Sequence, residues 1–197
     1  MAFDPHLSSL PHHLLRHHLS FLGRLPVEPF RPHREFVYEM IYCTLITVGS
    51  LKEEYLSAAL AEYKKRLGAY ARFEEINIKE ERLAEESPAA ISRALSAEGE
   101  RILAKIPDDA YTVALCVEGK ELSSEELASL VGKARDEKGK LCLIIGSSYG
   151  LSPAVKARAD FRLSFSRMTF PHQLMRVILA EALYRSFTIL AGKTYHK

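Results

Sequence analysis

Three stretches of this chain gather side chains able to hold a ligand or move a proton. "SFSRMTFPHQLMRV", Ser164–Val177, sets two Phe, two Met, two Arg, a Pro and His172 between a strand-like run and a helical run. The terminal "GKTYHK", Gly192–Lys197, holds Lys193, Tyr195, His196 and Lys197. The third, "IIGSSYGLSP", carries Gly146 and Gly150 with three serines. Glycines let a backbone approach a ligand closely, and they equally serve a plain turn. Imidazole titrates nearest neutrality, so a histidine is the natural candidate for a base. His172 also suits a helix start at which it bonds backbone. Tyr195 and His196 with two lysines form a set for stacking on a nucleobase and gripping phosphate. A frayed chain end is the plainer reading.

Several chemistries are excluded by spacing. The fingerprint GxGxxG is absent. The "GKT" at Gly192 lacks the glycine five residues earlier that a P-loop needs, since that position is Phe187. Neither a nucleophile elbow nor a His–carboxylate cluster with metal-ligand spacing occurs, so no metal site is assigned. Cys43, Cys116 and Cys142 each sit in an apolar run with no CxxC pair, which points to buried thiols in a reducing compartment.

The elements that must position these residues alternate regularly. "IYCTLITVG", rich in β-branched residues, "RFEEINI", "YTVALCVEG", "KLCLIIGS" and "FRLSFS" read as five short strands. Helical patterns separate them. Ser87-Pro88 suits an N-cap and a first-turn proline, and Ser123 with Glu126 has the spacing of a capping box. The expected fold is α/β, a largely parallel five-stranded sheet with helices on both faces. Ligands then gather at the carboxyl ends of strands three, four and five. The last helix, from about Pro171 to Leu190, is apolar around most of its circumference, which predicts burial on more than one side and a homodimer through it.

Composition divides the chain. Residues 1–39 hold five of the nine prolines and six of the eight histidines, and they lack the pattern of a secretory signal. Metal binding by "HHLLRHH" is one reading; a poorly ordered extension, dispensable to a domain of residues 40–197, is the favoured one. Residues 40–152 carry net charge −4, whereas residues 153–197 carry eight basic against two acidic side chains, net +6. Such a skew suits a polyanion or a solvated basic face. No apolar run approaches the ~20 residues of a membrane-spanning helix.

From Met40 onward the chain resembles a known family. "ITVG", "EYKKRL", "EGERIL", "LCVEGKELSSEELA", "LIIGSSYGLS", "LSFSRMTFPHQLMRVILAEALYR" and the closing "YHK" are similar to the RlmH-type methyltransferases of the SPOUT class. The resemblance implies a deep C-terminal trefoil knot, a homodimer and S-adenosylmethionine as cofactor. It implies methylation of N3 of a pseudouridine in 23S rRNA, in the cytoplasm, with no membrane and no DNA involved. Carried over by position, the implied cofactor contacts are Leu115, Gly146, Phe165, Ser166, Arg167, Met168, Thr169 and Phe170. One departure is Ser147, where some relatives have a second glycine. His196 is the candidate base and Tyr195 a stacking or positioning residue. Arg176, Lys193 and Lys197 are candidate RNA contacts. The alternatives are a SPOUT enzyme acting on another rRNA or tRNA nucleotide, and a non-catalytic ribosome-associated RNA-binding protein.

Overall fold

The computed structural model describes residues 40–193. In chain order these form β1 (Ile41–Val48), α1 (Glu54–Leu67), β2 (Ala71–Ile78), α2 (Pro88–Leu103), β3 (Tyr111–Glu121), α3 (Ser124–Lys138), β4 (Lys140–Ile145), α4 (Pro153–Arg158), β5 (Phe161–Ser164) and α5 (His172–Leu190). Local chemistry sets several of these limits. The Ser87 hydroxyl accepts from the Ala90 N–H at 3.2 Å, with Pro88 opening α2. Ser123 and Glu126 cap α3 reciprocally: Ser123 Oγ accepts from the Glu126 N–H and Glu126 Oε2 from the Ser123 N–H.

The five strands make one sheet in the order β2-β1-β4-β3-β5, with every pairing parallel. Each strand therefore needs a crossover, and alternating helices supply it on both faces. α1, α3 and α5 pack with Cys43, Leu45, Leu141, Leu143 and Val113 on one face. α2 and α4 pack with Ile46, Val48, Cys142, Ile144 and Ala114 on the other. The central strands β1 and β4 are covered on both sides, which is why they read as continuous apolar runs rather than alternating ones.

α5 runs along the sheet between α1 and α3. Leu179, Ala180, Leu183 and Phe187 are buried, and burying each large apolar side chain contributes roughly 1.5–3 kcal/mol. Most of the helix's apolar circumference is thus satisfied within the chain. The outward stripe, Leu174, Ile178, Glu181 and Arg185, is mixed, with Arg185 paired to Glu181. β5 is an edge strand while α5 starts beneath β1, so the connection 165–171 must cross the carboxyl ends of β3 and β4. That crossing builds the site.

Candidate active site

The site begins with a fault in a strand. In β3, Leu115 pairs with Leu163 of β5, and so does Lys120, so Cys116–Gly119 bulge out of the ladder. The close return needs Gly119: a Cβ there would lie 2.6 Å from the Leu163 carbonyl carbon. The bulge turns Cys116, Val117 and Glu118 toward a cavity of about 630 Å³, a volume that suits a small-molecule cofactor.

A second wall is the turn after β4. Gly150 N–H donates to Ser147 O at 3.0 Å, folding the chain back on itself. The Gly150 carbonyl then presses against Gly146, where a Cβ would stand 2.0 Å from Gly150 O. Gly146 is therefore fixed by space. Ser147 is buried, and its hydroxyl donates to Glu98 Oε2 of α2 at 2.9 Å; the other Glu98 oxygen accepts from the Glu81 N–H at 2.9 Å. The serine that departs from the resembled pattern thus ties this wall to α2 and to the loop after β2. Tyr149, nearby, donates its hydroxyl to Glu86 Oε1 at 2.7 Å, and that carboxylate pushes the phenol pKa up.

The third wall is the crossing connection. Ser164 Oγ donates to Ser166 O at 3.0 Å, and Ser166 Oγ accepts from the Met168 N–H at 3.0 Å, so serine hydroxyls shape its start. Seven of the eight expected cofactor residues line the cavity: Leu115, Gly146, Phe165, Ser166, Met168, Thr169 and Phe170. Arg167 is not among its lining residues and is exposed. Val117, Tyr149, Met168 and Phe170 line the cavity while remaining 37–68% exposed. Exposed apolar side chains gathered at a cavity mark a surface meant to be covered.

Charged groups at the rim are paired. Lys156 binds Glu118 and, chiefly through that hydrogen bond, holds its carboxyl below the usual range. His172 faces the cavity from the start of α5. Burial lowers its pKa first, the Arg176 and Lys52 charges push the same way, and Glu80 and Glu98 oppose them. The surroundings therefore favour the neutral imidazole. Its side chain has no hydrogen bond among the described residues, so the helix-start bond to backbone is not formed. Cys116 also faces the cavity and is only half-buried, unlike the expectation for all three cysteines. Burial raises its pKa, and it pushes Cys43 and Cys142 to about 12, so these are poor nucleophiles.

Arg176 is a correction. Expected to face RNA or a partner subunit, it is fully buried. Its Nη2 donates to Val48 O at 2.9 Å and Gly49 O at 2.7 Å, and its Nη1 to Asn77 Oδ1 at 3.1 Å. Glu75 Oε1 lies 3.5 Å away as counter-charge. A guanidinium spent on two carbonyls, an amide and a carboxylate presents nothing to phosphate. Lys193 is at the surface, with Nζ donating to Tyr70 Oη at 2.8 Å and lying 4.9 Å from that ring's centroid. Tyr195, His196, Lys197 and the "HHLLRHH" run lie outside the described residues. Among the described residues there is no group of three or more metal-ligating side chains, and no helix long and apolar enough to cross a membrane.

Sequence reasoning missed Glu98 and the true role of Arg176, yet both left a signal. Glu98 falls on the buried stripe Ala90, Ala94, Ile102 of α2, and Arg176 on the stripe Leu179, Ala180, Leu183 of α5. A charge on an apolar stripe needs a buried partner.

A wholly parallel sheet with its cavity beyond the carboxyl ends of three neighbouring strands defines an α/β protein of the kind that holds a small cofactor where those strands end. Residues 41–196 match the family model described as "Predicted SPOUT methyltransferase". This chain belongs to the SPOUT methyltransferase family. It is 51% identical over 156 residues to the ribosomal RNA large subunit methyltransferase H of Bifidobacterium adolescentis, spanning 78% of this chain and 98% of that one. To the protein of the same name from Bacillus pumilus it is 52% identical with the same coverage. Among solved structures, a probable methyltransferase from Bordetella pertussis Tohama I aligns at 16% identity and TM-score 0.47, over 76% of this chain and 97% of that one. The SpoU methyltransferase AviRb from Streptomyces viridochromogenes, in complex with AdoMet, aligns at 14% identity and TM-score 0.40, over 79% of this chain and 60% of that one.

Proposed function

We propose that this protein is an S-adenosylmethionine-dependent methyltransferase that modifies N3 of a pseudouridine in 23S rRNA of the large ribosomal subunit. The observation that carries the cofactor reading is the cavity itself. Three loops converge on about 630 Å³ and leave Val117, Met168 and Phe170 exposed around it. An adenosine with an apolar, uncharged ring face suits such walls, and the backbone groups of 165–170 suit its polar edge. The rRNA reading is supported by relatives about half identical along 98% of their length whose names state that activity.

When bound, S-adenosylmethionine supplies a methyl group on a positively charged sulfur. This chain must hold the target nitrogen behind that methyl at near-attack distance and take the N3 proton. His196 is the proposed base, with Tyr195 stacking on or positioning the nucleobase. Lys193 and Lys197 are the proposed phosphate contacts; Arg167, exposed beside the cavity, joins them more naturally than it joins the cofactor. Binding to rRNA through such cations weakens steeply with salt. A trefoil knot closed by the crossing 165–171 and a homodimer belong to the same reading. So does a cytoplasmic location, where ribosomes are. On this reading the assembled subunit presents the base.

The test is mass spectrometry of 23S rRNA from a strain lacking the gene, with and without complementation. Loss and return of one methyl on one pseudouridine is expected. An unchanged pseudouridine with a methyl lost elsewhere in rRNA or tRNA moves the enzyme to another nucleotide. No lost methyl, together with no calorimetric binding of S-adenosylmethionine, makes it a non-catalytic RNA-binding protein.

A further inference from the structure

The first two turns of α5 pack on the core through Met175 and Val177, and they are also attached to the sheet by polar struts. Arg176 spans to the last residue of β1, Val48, and to the residue after it, Gly49, and reaches Asn77 in β2. Asn77 Oδ1 is held in turn by the Thr47 hydroxyl at 2.7 Å. Glu75 supplies the counter-charge and is itself paired to Lys64 at 2.7 Å. In the turn before, Gln173 Oε1 accepts from the Lys52 N–H at 3.1 Å. α5 is thereby pinned to the carboxyl ends of β1 and β2 and to the loop that follows β1.

Packing does not ask for this. The neighbours of Arg176 on its stripe are Leu179, Ala180 and Leu183, and an apolar side chain there would fill the same space. Burying a guanidinium returns little net stability even when paired, because its desolvation offsets the Coulomb gain. Its Nε has no hydrogen-bond partner among the described residues. What the struts do supply is position. The connection 165–171 is short and anchored at one end by β5, so the placement of the first turn of α5 determines the path of the connection across β3 and β4. That connection is the third wall of the cavity, and His172 and Met175 on the same turns line it as well.

We propose that Arg176, seconded by Gln173, is a positioning residue that sets the affinity of the cavity for S-adenosylmethionine by holding the exit of the crossing connection. This rests on the cofactor reading above. Lysine cannot replace it, since an ammonium has no planar fork to reach two carbonyls and an amide together.

The experiment compares the full-length chain with Arg176→Lys and Gln173→Ala. It measures KM for S-adenosylmethionine, KM for the ribosomal substrate, kcat, calorimetric cofactor affinity and Tm. For Arg176→Lys, the cofactor KM and Kd are expected to rise about tenfold or more, the loss expected when charge-assisted hydrogen bonds are broken. For Gln173→Ala the rise is roughly threefold, as for one neutral bond. KM for the ribosomal substrate stays within a factor of about two. A merely structural role predicts otherwise: fewer folded molecules, hence lower apparent kcat, with cofactor KM unchanged. That result overturns the proposal. Should Arg176→Lys fail to fold, Gln173→Ala decides alone, and an unchanged cofactor KM there overturns it too. Wild-type protein that does not bind S-adenosylmethionine sinks the cofactor reading and this inference with it. Wild-type binding with variants that match it sinks this inference only.

Discussion

Gly146→Ala should separate the site from the fold. The added Cβ would stand 2.0 Å from Gly150 O, 2.5 Å from Gly150 C and 3.1 Å from Leu151 Cδ2. The first two atoms are backbone, so no rotamer change relieves them. The Gly146–Gly150 turn must open by more than about 1 Å, and misplacements of that size in a site cost on the order of 100-fold. The strain itself costs about 1–3 kcal/mol, which in a domain of this size lowers Tm by roughly 3–10 °C. Gly139→Ala is the control. Gly139 is left-handed, φ +64°, with nothing within 4 Å of its added Cβ. It should lose roughly 1–2 kcal/mol from backbone strain alone. Both variants are followed by differential scanning calorimetry, then by isothermal titration with S-adenosylmethionine. Comparable losses of Tm with cofactor binding collapsed only in Gly146→Ala are expected. Gly146→Ala that binds with wild-type affinity refutes the reasoning, because the turn would then be free to move without touching the cofactor.

Four further outcomes follow from particular contacts. Glu98→Ala strands the Glu81 N–H and the buried Ser147 hydroxyl, so chemical denaturation should show a loss of about 1–3 kcal/mol per stranded group, with weaker cofactor binding. His172 has a folded-state pKa below its ordinary value because burial and Arg176 disfavour its charge. The unfolded chain therefore binds the extra proton first, and stability is lost as pH falls from about 6.5 toward the folded value. The urea midpoint of wild type should fall relative to that of His172→Gln on acidification, and parallel curves would refute this. Sedimentation at micromolar concentration should show a dimer, with Leu174→Glu on the outward stripe of α5 shifting it to monomer. Deleting residues 1–39 should leave folding and methylation intact, read by circular dichroism and by incorporation of labelled methyl groups.

The residues that shape the cavity were legible in unequal degree. Leu115, Gly146 and Phe165–Phe170 were assigned through a family resemblance, and all but Arg167 line it. The Cys116–Gly119 bulge left a single local mark, Gly119, which reads equally as the end of the strand "YTVALCVEG"; it arises because Leu163 pairs at both ends of the bulge. Ser147 reads as a loop serine until α2 brings Glu98 within 2.9 Å of it.

What this sequence determined by itself was local: five short runs became strands, Ser87 and Ser123 became caps, and the alternation became a parallel sheet covered on both faces. Those outcomes depend on steric preferences and hydrogen bonds a few residues apart, which a pattern records. Strand order, the crossing of 165–171 over β3 and β4, and the burial of Arg176 were decided only in three dimensions. The partners of Arg176, at Val48, Gly49 and Asn77, lie 99–128 residues away in the chain. No local pattern distinguishes a guanidinium bound for phosphate from one bound for a carbonyl that far off. The choice was made when α5 packed between α1 and α3 and closed that position to water.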